Sequence, residues 1–206
     1  MASYKASIGV VITKFLVITT IIIMAIAIPA WAGKGHGPGI SPLSEEEVVE
    51  LTFMREEEKL ARDVYLDMHD LWSANIFSRI ATSEQRHMDT MKKMIDKYGL
   101  LDPALPARGA FYNELLQDKY YELTDKGDNS YVDGLEVGAF IEELDMIDLQ
   151  EAIDVTTHVD VVNAYQHLLE GSKNHLRAFV GALETQGVIY TPLLLSQELF
   201  DAIMGL

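Results

Sequence analysis

Five residues, Glu58, Glu84, His87, Glu142 and His175, have the types and the spacing to hold metal. Glu84 and His87 stand three apart, so on a helix they share one face. Phe77, Ile80, Met91, Met94 and Tyr98 continue the same three-and-four step on either side, making the pair a polar island in an apolar seam. Leu51, Met54, Ala61, Tyr65, Met68 and Trp72 set Glu58 in a second seam of this kind. Leu135, Ala139, Met146, Leu149 and Ile153 do so for Glu142, and Tyr165, Leu168, Ser172, Phe179 and Ala182 for His175. An unpaired buried carboxylate costs roughly several kcal/mol. Four segments that each put a polar group near the middle of an apolar face point to a common partner. Divalent cations would neutralise three carboxylates at once and fix both imidazoles through their ring nitrogens. A lone Glu-x-x-His arises by chance, and a buried Glu–His pair can be hydrogen-bonded core and nothing more. Agreement in register across four segments favours metal over that plain reading.

Helices are needed to bring these positions together. Ser44 followed by Glu45, Glu46 and Glu47 is an N-cap with a capping-box glutamate and acids in the first turn, so the first long helix starts there and runs to about Leu71. A second is predicted from Ala74 to Tyr98, stopped by Gly99 and Asp102-Pro103. The stretch from Gly99 to Gly134 carries Pro103, Pro106, Gly109 and Gly127, with a short helix expected over Tyr112 to Leu123. Helix resumes from Asp133 to Ile153, breaks at Asp154 to Thr157, and continues from His158 to Gln186. A last short helix is predicted over Ser196 to Met204. No strand alternation stands out, so the class is all-α. The outer connections are short and make antiparallel pairs, whereas the middle one is too long for an ordinary bundle loop. Two hairpins joined by one long crossover, between helices two and three, is the ferritin-like four-helix bundle.

Composition narrows the chemistry. The 206 residues suit one medium domain and contain no cysteine, which excludes disulfides, zinc–thiolate sites, iron–sulfur clusters and thiol nucleophiles. Lys5 and Lys14 precede an uncharged run from Phe15 to Ile28, and Ala30-Trp31-Ala32 offers small residues at a cleavage site. Residues 1–32 are therefore expected to be a signal peptide, or an uncleaved membrane anchor, and the protein to be exported to the periplasm or the medium. Residues 33–43 read as a flexible linker, 44–190 as the bundle and 191–206 as a tail with a short helix. Loss of the segment would take the formal charge from -16 to -18, because it holds two lysines and no acid. So acidic a chain is not expected to bind nucleic acid or anionic lipid. Contact with a membrane would come only through an uncleaved N-terminus.

The ligand stretches resemble a known family. Glu58-Lys-Leu-Ala-Arg62-Asp-Val-Tyr65 and Ser83-Glu84-Gln-Arg-His87-Met are similar to the first two ligand motifs of rubrerythrin-type ferritin-like proteins. Gly138-Ala-Phe-Ile-Glu142-Glu143 and Gly171-Ser172-Lys-Asn-His175-Leu-Arg-Ala-Phe179 fall where the third and fourth belong, more loosely. Leu51 to Tyr190 as a whole resembles an uncharacterised ferritin-like domain family. The resemblance implies two iron ions, or one, with manganese or zinc as alternatives, on Glu58, Glu84, His87, Glu142 and His175, with Glu84 or Glu142 bridging. It also implies reaction with oxygen or peroxide, of the ferroxidase or peroxidase type. The fourth helix departs from the pattern, since Ser172 stands where that family carries a glutamate. Glu143 or Asp145 could compensate, and a mononuclear or asymmetric site becomes an alternative. No rubredoxin-like cysteine domain is present, which leaves a peroxidase without its own electron source.

Other polar residues read as structural. His69 and His158 lie near helix ends, His167 is one step off the inner seam, and Glu56-Glu57 is expected to be a solvated edge. The contrasting function is a non-catalytic ferritin-like binding module, metal-stabilised or metal-free, for which Ser172 and the long insertion speak. Metal ions and oxygen or peroxide are the expected partners, with a homodimer or a cage-like assembly as the form of self-association.

Overall fold

Ser44 opens α1 (Glu45–Trp72) with the capping box its sequence predicts: its hydroxyl accepts from the Glu47 amide, and the Glu47 carboxylate accepts from the Ser44 amide. This is a computed structural model, and it describes residues 41–206. The expected signal segment and all but the end of the expected linker lie outside the described residues. Ser73, in the left-handed region at φ 53°, ends α1 and leads after Ala74 into α2 (Asn75–Lys97). Gly99 follows α2 at φ 67°, a conformation that glycine takes without steric cost. In the middle connection Asn113 caps α3 (Glu114–Gly127), which starts two residues later and ends a turn later than its sequence predicts. Ser130 caps α4 (Tyr131–Val155), α5 spans Val159–Thr185, and Ser196 caps α6 (Gln197–Met204). Among the described residues there is no strand, so the chain is all-helical as expected.

The two-residue link Ser73-Ala74 turns α2 back along α1, and residues 156–158 turn α5 back along α4. α1 also packs on α4 and α2 on α5. α3 covers α1 and α4, while α6 rests on α5. No helix among the described residues is long and apolar enough to cross a membrane.

The apolar core comes in two parts. One gathers Leu60, Val64, Tyr65, Phe77, Ile80, Leu135, Ile141 and Phe179; the other gathers Leu51, Met54, Met91, Ile95, Leu149, Tyr165 and Leu168. Each long helix contributes to both parts, and between them each turns polar, at Glu58, Glu84–His87, Glu142–Asp145 and Ser172–His175. The sequence periodicity thus translates into a charged layer across the middle of an apolar interior.

One expectation is overturned here. Glu56 and Glu57 are not a solvated edge; each is only 2 % exposed. The segment before α3 lies over Glu56, whose carboxylate accepts from the amides of Tyr112 and Asn113. Asp145 and Asp148 on α4 face Glu57. A helix packed on three sides has no free edge, so a face that is solvated in an isolated hairpin is closed here.

Candidate metal centre

All five residues singled out by sequence meet in the charged layer, and all five are buried. They form two groups of potential donors, Glu58–Glu84–His87 and Glu84–Glu142–His175, in each of which one atom per residue lies within 4.8 Å of the others. Glu84 belongs to both. Its Oε2 lies 2.7 Å from His87 Nδ1 and its Oε1 lies 2.7 Å from His175 Nδ1. Glu58 Oε2 stands 3.2 Å from His87 Nδ1, and Glu142 Oε2 stands 3.4 Å from His175 Nδ1. The imidazole rings are 5.5 Å apart between centroids.

Orientation matters more than these distances. His175 Nδ1 and Glu84 Oε1 are close, yet neither has an aligned hydrogen-bond partner, and Glu58 Oε1 has none either. Atoms that approach without pointing at each other are arranged as ligands around a third point are. Donors at about 2.1 Å from an ion, set at right angles, lie about 3 Å from one another. The donor chemistry fits as well, since imidazole with carboxylate suits iron, manganese and zinc. Both histidines turn Nδ1 inward. A Cβ added to Gly171 would meet His87 Nε2 at 2.6 Å, so the absence of a side chain there is what admits the ring.

Electrostatics shows how the group is balanced without an ion. Burial alone would push the Glu84 carboxyl up, but His175 and His87 beside it hold it at about 2. Burial works against charge on both imidazoles, and the carboxylates outweigh it: Glu58 and Glu84 raise His87 to about 11, and Glu142 and Glu84 raise His175 to about 10. Burial lifts Glu58 to about 8 despite His87, and lifts Glu142 despite His175. Three acids thus face two imidazolium charges.

Tyr65, read from the sequence as core, donates from its hydroxyl to Glu142 Oε1 at 2.5 Å and fixes that carboxylate. Ser172 is fully buried; its hydroxyl donates to Asp145 Oδ2 and reaches back to the Leu168 carbonyl at 3.0 Å. Asp145 therefore stands opposite the position where a fourth carboxylate is expected, but outside both donor groups. Glu143, the other candidate to compensate, points away: it accepts from the Tyr190 hydroxyl and from the amides of Leu193, Leu194 and Leu195. His158 stands at the N-terminal end of α5, as expected, with Nδ1 2.8 Å from Glu47 and not on the helix amides, and His167 is exposed.

The sequence reading missed the surroundings of the centre. A cavity of about 250 Å³, lined by Ser83, Arg86, His87, His167, Glu170, Gly171 and Asn174, opens to the surface over the His87 ring. On the α1–α4 side, Glu57 and Asp145 are buried next to the donors, and Asp148 is half-buried beside Glu57. A run as apolar as Leu135 to Leu149 reads as buried on every face, which is the signal that could have placed Asp145 and Glu143 inside.

Known proteins are similar to this chain over nearly all of its described length. Residues 47–205 match the family described as an uncharacterized protein domain, DUF2202. The uncharacterized protein MJ0754 of Methanocaldococcus jannaschii is 47 % identical over 165 residues, covering 80 % of this chain and 89 % of that protein. A crystal structure of the hypothetical protein MJ0754 from Methanococcus jannaschii is similar with a TM-score of 0.79 and 45 % identity, over 82 % of this chain and 97 % of the other.

Proposed function

The chain belongs to the DUF2202 family, and for it we propose an exported, ferritin-like four-helix bundle that binds two metal ions and turns them toward oxygen or peroxide. The observation that carries this reading is Glu84. One carboxylate offers a different oxygen to each of two Glu–His pairs, at 2.7 Å from each imidazole, and the oxygen that faces His175 has no aligned hydrogen bond. A shared carboxylate between two otherwise separate donor sets is what a two-ion centre in a helical bundle uses.

Iron or manganese, when bound, would supply one-electron steps to oxygen or peroxide. The chain's own residues do the remaining work. Glu58 with His87, and Glu142 with His175, would hold one ion each, and Glu84 would bridge. Tyr65 keeps Glu142 oriented through its 2.5 Å hydrogen bond. The cavity over His87 gives a small oxidant a way in, while the apolar parts of the core on either side keep bulk water out. No cysteine is present to relay electrons, so oxidation of the metal itself, a ferroxidase reaction or sequestration, fits this chain better than a self-contained peroxidase. Export follows from Lys5, Lys14 and the apolar run before Ala32.

A second reading has its own observation. His87 and His175 already neutralise much of the carboxylate charge, so the five residues could be a metal-free ionic core of a binding module. Elemental analysis of the purified protein beside a Glu84→Ala, His87→Ala variant separates the two. About two iron or manganese atoms per chain, lost in the variant, is the expected result. About one atom would mean that Ser172 had cost the second ion, and none after reconstitution would leave the ionic core.

A further inference from the structure

Beside the centre lies a second set of acids that has no part in the two donor groups. Neither carboxylate oxygen of Glu57 has a hydrogen-bond donor, although the residue is only 2 % exposed. Asp145 Oδ1 and Asp148 Oδ2 are buried in the same condition. Glu57 meets Asp148 and has Asp145 as a charged neighbour, and Asp145 in turn has Glu58, Glu142 and Glu84. On the outer side Asp148 and Glu151 are charged neighbours of Glu50. Helix geometry accounts for the alignment. Glu50 and Glu57 lie two turns apart on α1, while Asp145, Asp148 and Glu151 follow at steps of three on α4, and the two helices pack together.

Outside the centre, the buried acids Glu47, Glu56, Asp63 and Glu143 are met by donors. Leaving several unmet side by side costs free energy unless something neutralises them. The geometry points to a cation station at Glu57, Asp145 and Asp148, through which a hydrated divalent ion moves from Glu50 and Glu151 at the surface to the Glu84 centre. These three acids do not converge as the central donors do, since only the two central groups close to within 4.8 Å among the described residues. An ion held there keeps part of its water, as a hard cation between carboxylates does, and so remains free to move on. The station lies on the α1–α4 side and the cavity over His87 on the α2–α5 side, which gives metal and oxidant separate approaches. This inference rests on the reading of the centre as a metal site.

The test uses metal-free protein, Co2+ as the probe of the centre and Mn2+ as the probe of the station. Rapid mixing with limiting Co2+, followed by its visible absorption, gives the rate and the end point of filling. Electron paramagnetic resonance counts bound Mn2+. In a Glu57→Gln, Asp148→Asn variant, filling should slow about tenfold or more with the end point unchanged, because an acidic path raises ion arrival by at least that factor. The same variant should hold one weakly bound Mn2+ fewer. A Glu50→Gln, Glu151→Gln variant, which touches only the outer end, should also slow filling and keeps the test valid if the buried change disturbs folding. Unchanged rate and Mn2+ count in both variants would overturn the station and leave Glu57 and Asp148 sharing a proton. Co2+ that binds equally well to the Glu84→Ala, His87→Ala variant would instead overturn the centre itself, and the station with it.

Discussion

Glu142 and Glu143 are neighbours on α4, both buried, and their surroundings are opposite. Glu143 accepts four donors, the Tyr190 hydroxyl and three successive backbone amides at Leu193 to Leu195. Glu142 has one donor, Tyr65, and an imidazole at 3.4 Å. The same division runs through the molecule. Glu47 gathers the amides of Thr157 and His158, Glu56 the amides of Tyr112 and Asn113, and Asp63 the side chains of Lys59 and Arg62 with the Gly109 amide. Glu57, Glu58, Glu84, Asp145 and Asp148 keep oxygens that nothing in the protein meets. Burial of an acid is therefore no sign of function by itself. The first kind is completed by the protein and ties a loop or the tail to the helices; the second kind is left open.

Exchanging the two neighbours puts this distinction to its hardest test. Glu143→Ala removes the acceptor of three backbone amides and should cost about 3–5 kcal/mol, the usual result of stripping one side from a buried charged network. The tail would come away from α4, and thermal or urea unfolding would read the loss. Metal per chain should stay as in the parent protein. Glu142→Ala should do the reverse, giving up metal while the metal-free protein unfolds at nearly the parent temperature. If Glu143→Ala folds well and loses metal instead, the division between the two kinds of acid fails at its clearest pair.

Gly171→Ala acts on the histidine side. The added carbon would stand 2.6 Å from His87 Cε1 and Nε2, so the ring has to turn. Overpacking of this sort costs about 1–3 kcal/mol. Because Glu58 and Glu84 both approach His87 Nδ1, the ion held by that group should be the one released, and elemental analysis should show the loss of one ion and not both. Loss of neither would mean that the ring's position is not what sets the site.

pH is a milder perturbation, and it should separate the two kinds of acid by sign. Burial, with Asp148, Glu151 and Glu46 nearby, raises Glu50 to about 7, and burial raises Asp148 to about 6. A carboxyl raised on folding contributes stability that is full below its unfolded value and lost as pH rises through the folded one. Metal-free protein should thus lose stability between pH 5 and 8, and His87 and His175, raised to about 11 and about 10, add to the loss in the upper part of that range, where the unfolded imidazoles give up their protons. Glu47 is depressed, since His158, Ser44 and Thr157 outweigh its burial, so its contribution is present above its unfolded value and lost as pH falls. Urea titrations of metal-free protein should give a stability maximum near the acid end of this window. Glu57→Gln, Asp148→Asn should reduce the alkaline slope, with Glu50, His87 and His175 keeping the rest, and leave the acid limb as it was. A metal-free protein that gains stability from pH 5 to 8 would contradict the open state of these acids.

The helices and the inward positions of the five residues were legible because they depend on local rules. Ser44 with Glu47, Gly99 and the three-and-four step fix where helices start, stop and face, and Glu58, Glu84, His87, Glu142 and His175 all lie on seams those rules define. What covers those helices depends on distant sequence. Glu56 is closed by residues 56 and 57 positions further on, and Glu143 by residues some fifty positions further on. No periodicity on α1 or α4 reports such contacts. Glu57 was within reach, since it also stands three residues after Met54 and four before Ala61, a step that admits it to the inner face as well as Glu58. Its neighbour Glu58 claimed the inner position alone, because an isolated seam admits one residue per turn and a helix packed on three sides admits more.

Asp145 belongs to neither kind cleanly, and Ser172 decides to which side it falls. Its Oδ2 accepts from the Ser172 hydroxyl while its Oδ1 has no donor. Ser172 occupies on α5 the place that Glu84 occupies on α2, three residues before a histidine of the centre. If Ser172 only completes Asp145, then Ser172→Ala should cost about 1 kcal/mol, the ordinary worth of one hydrogen bond, and leave metal per chain as it was. If Ser172 instead holds Asp145 in position to serve an ion, the same small change should lower metal affinity much more than stability. Unfolding and metal titration of this one variant give two numbers, and their ratio is the result. The expected outcome is the first, because Asp145 lies outside both donor groups and Glu84 already spans them. The second would place Asp145 wholly with the open kind of acid and make it the counterpart of the carboxylate expected where Ser172 stands.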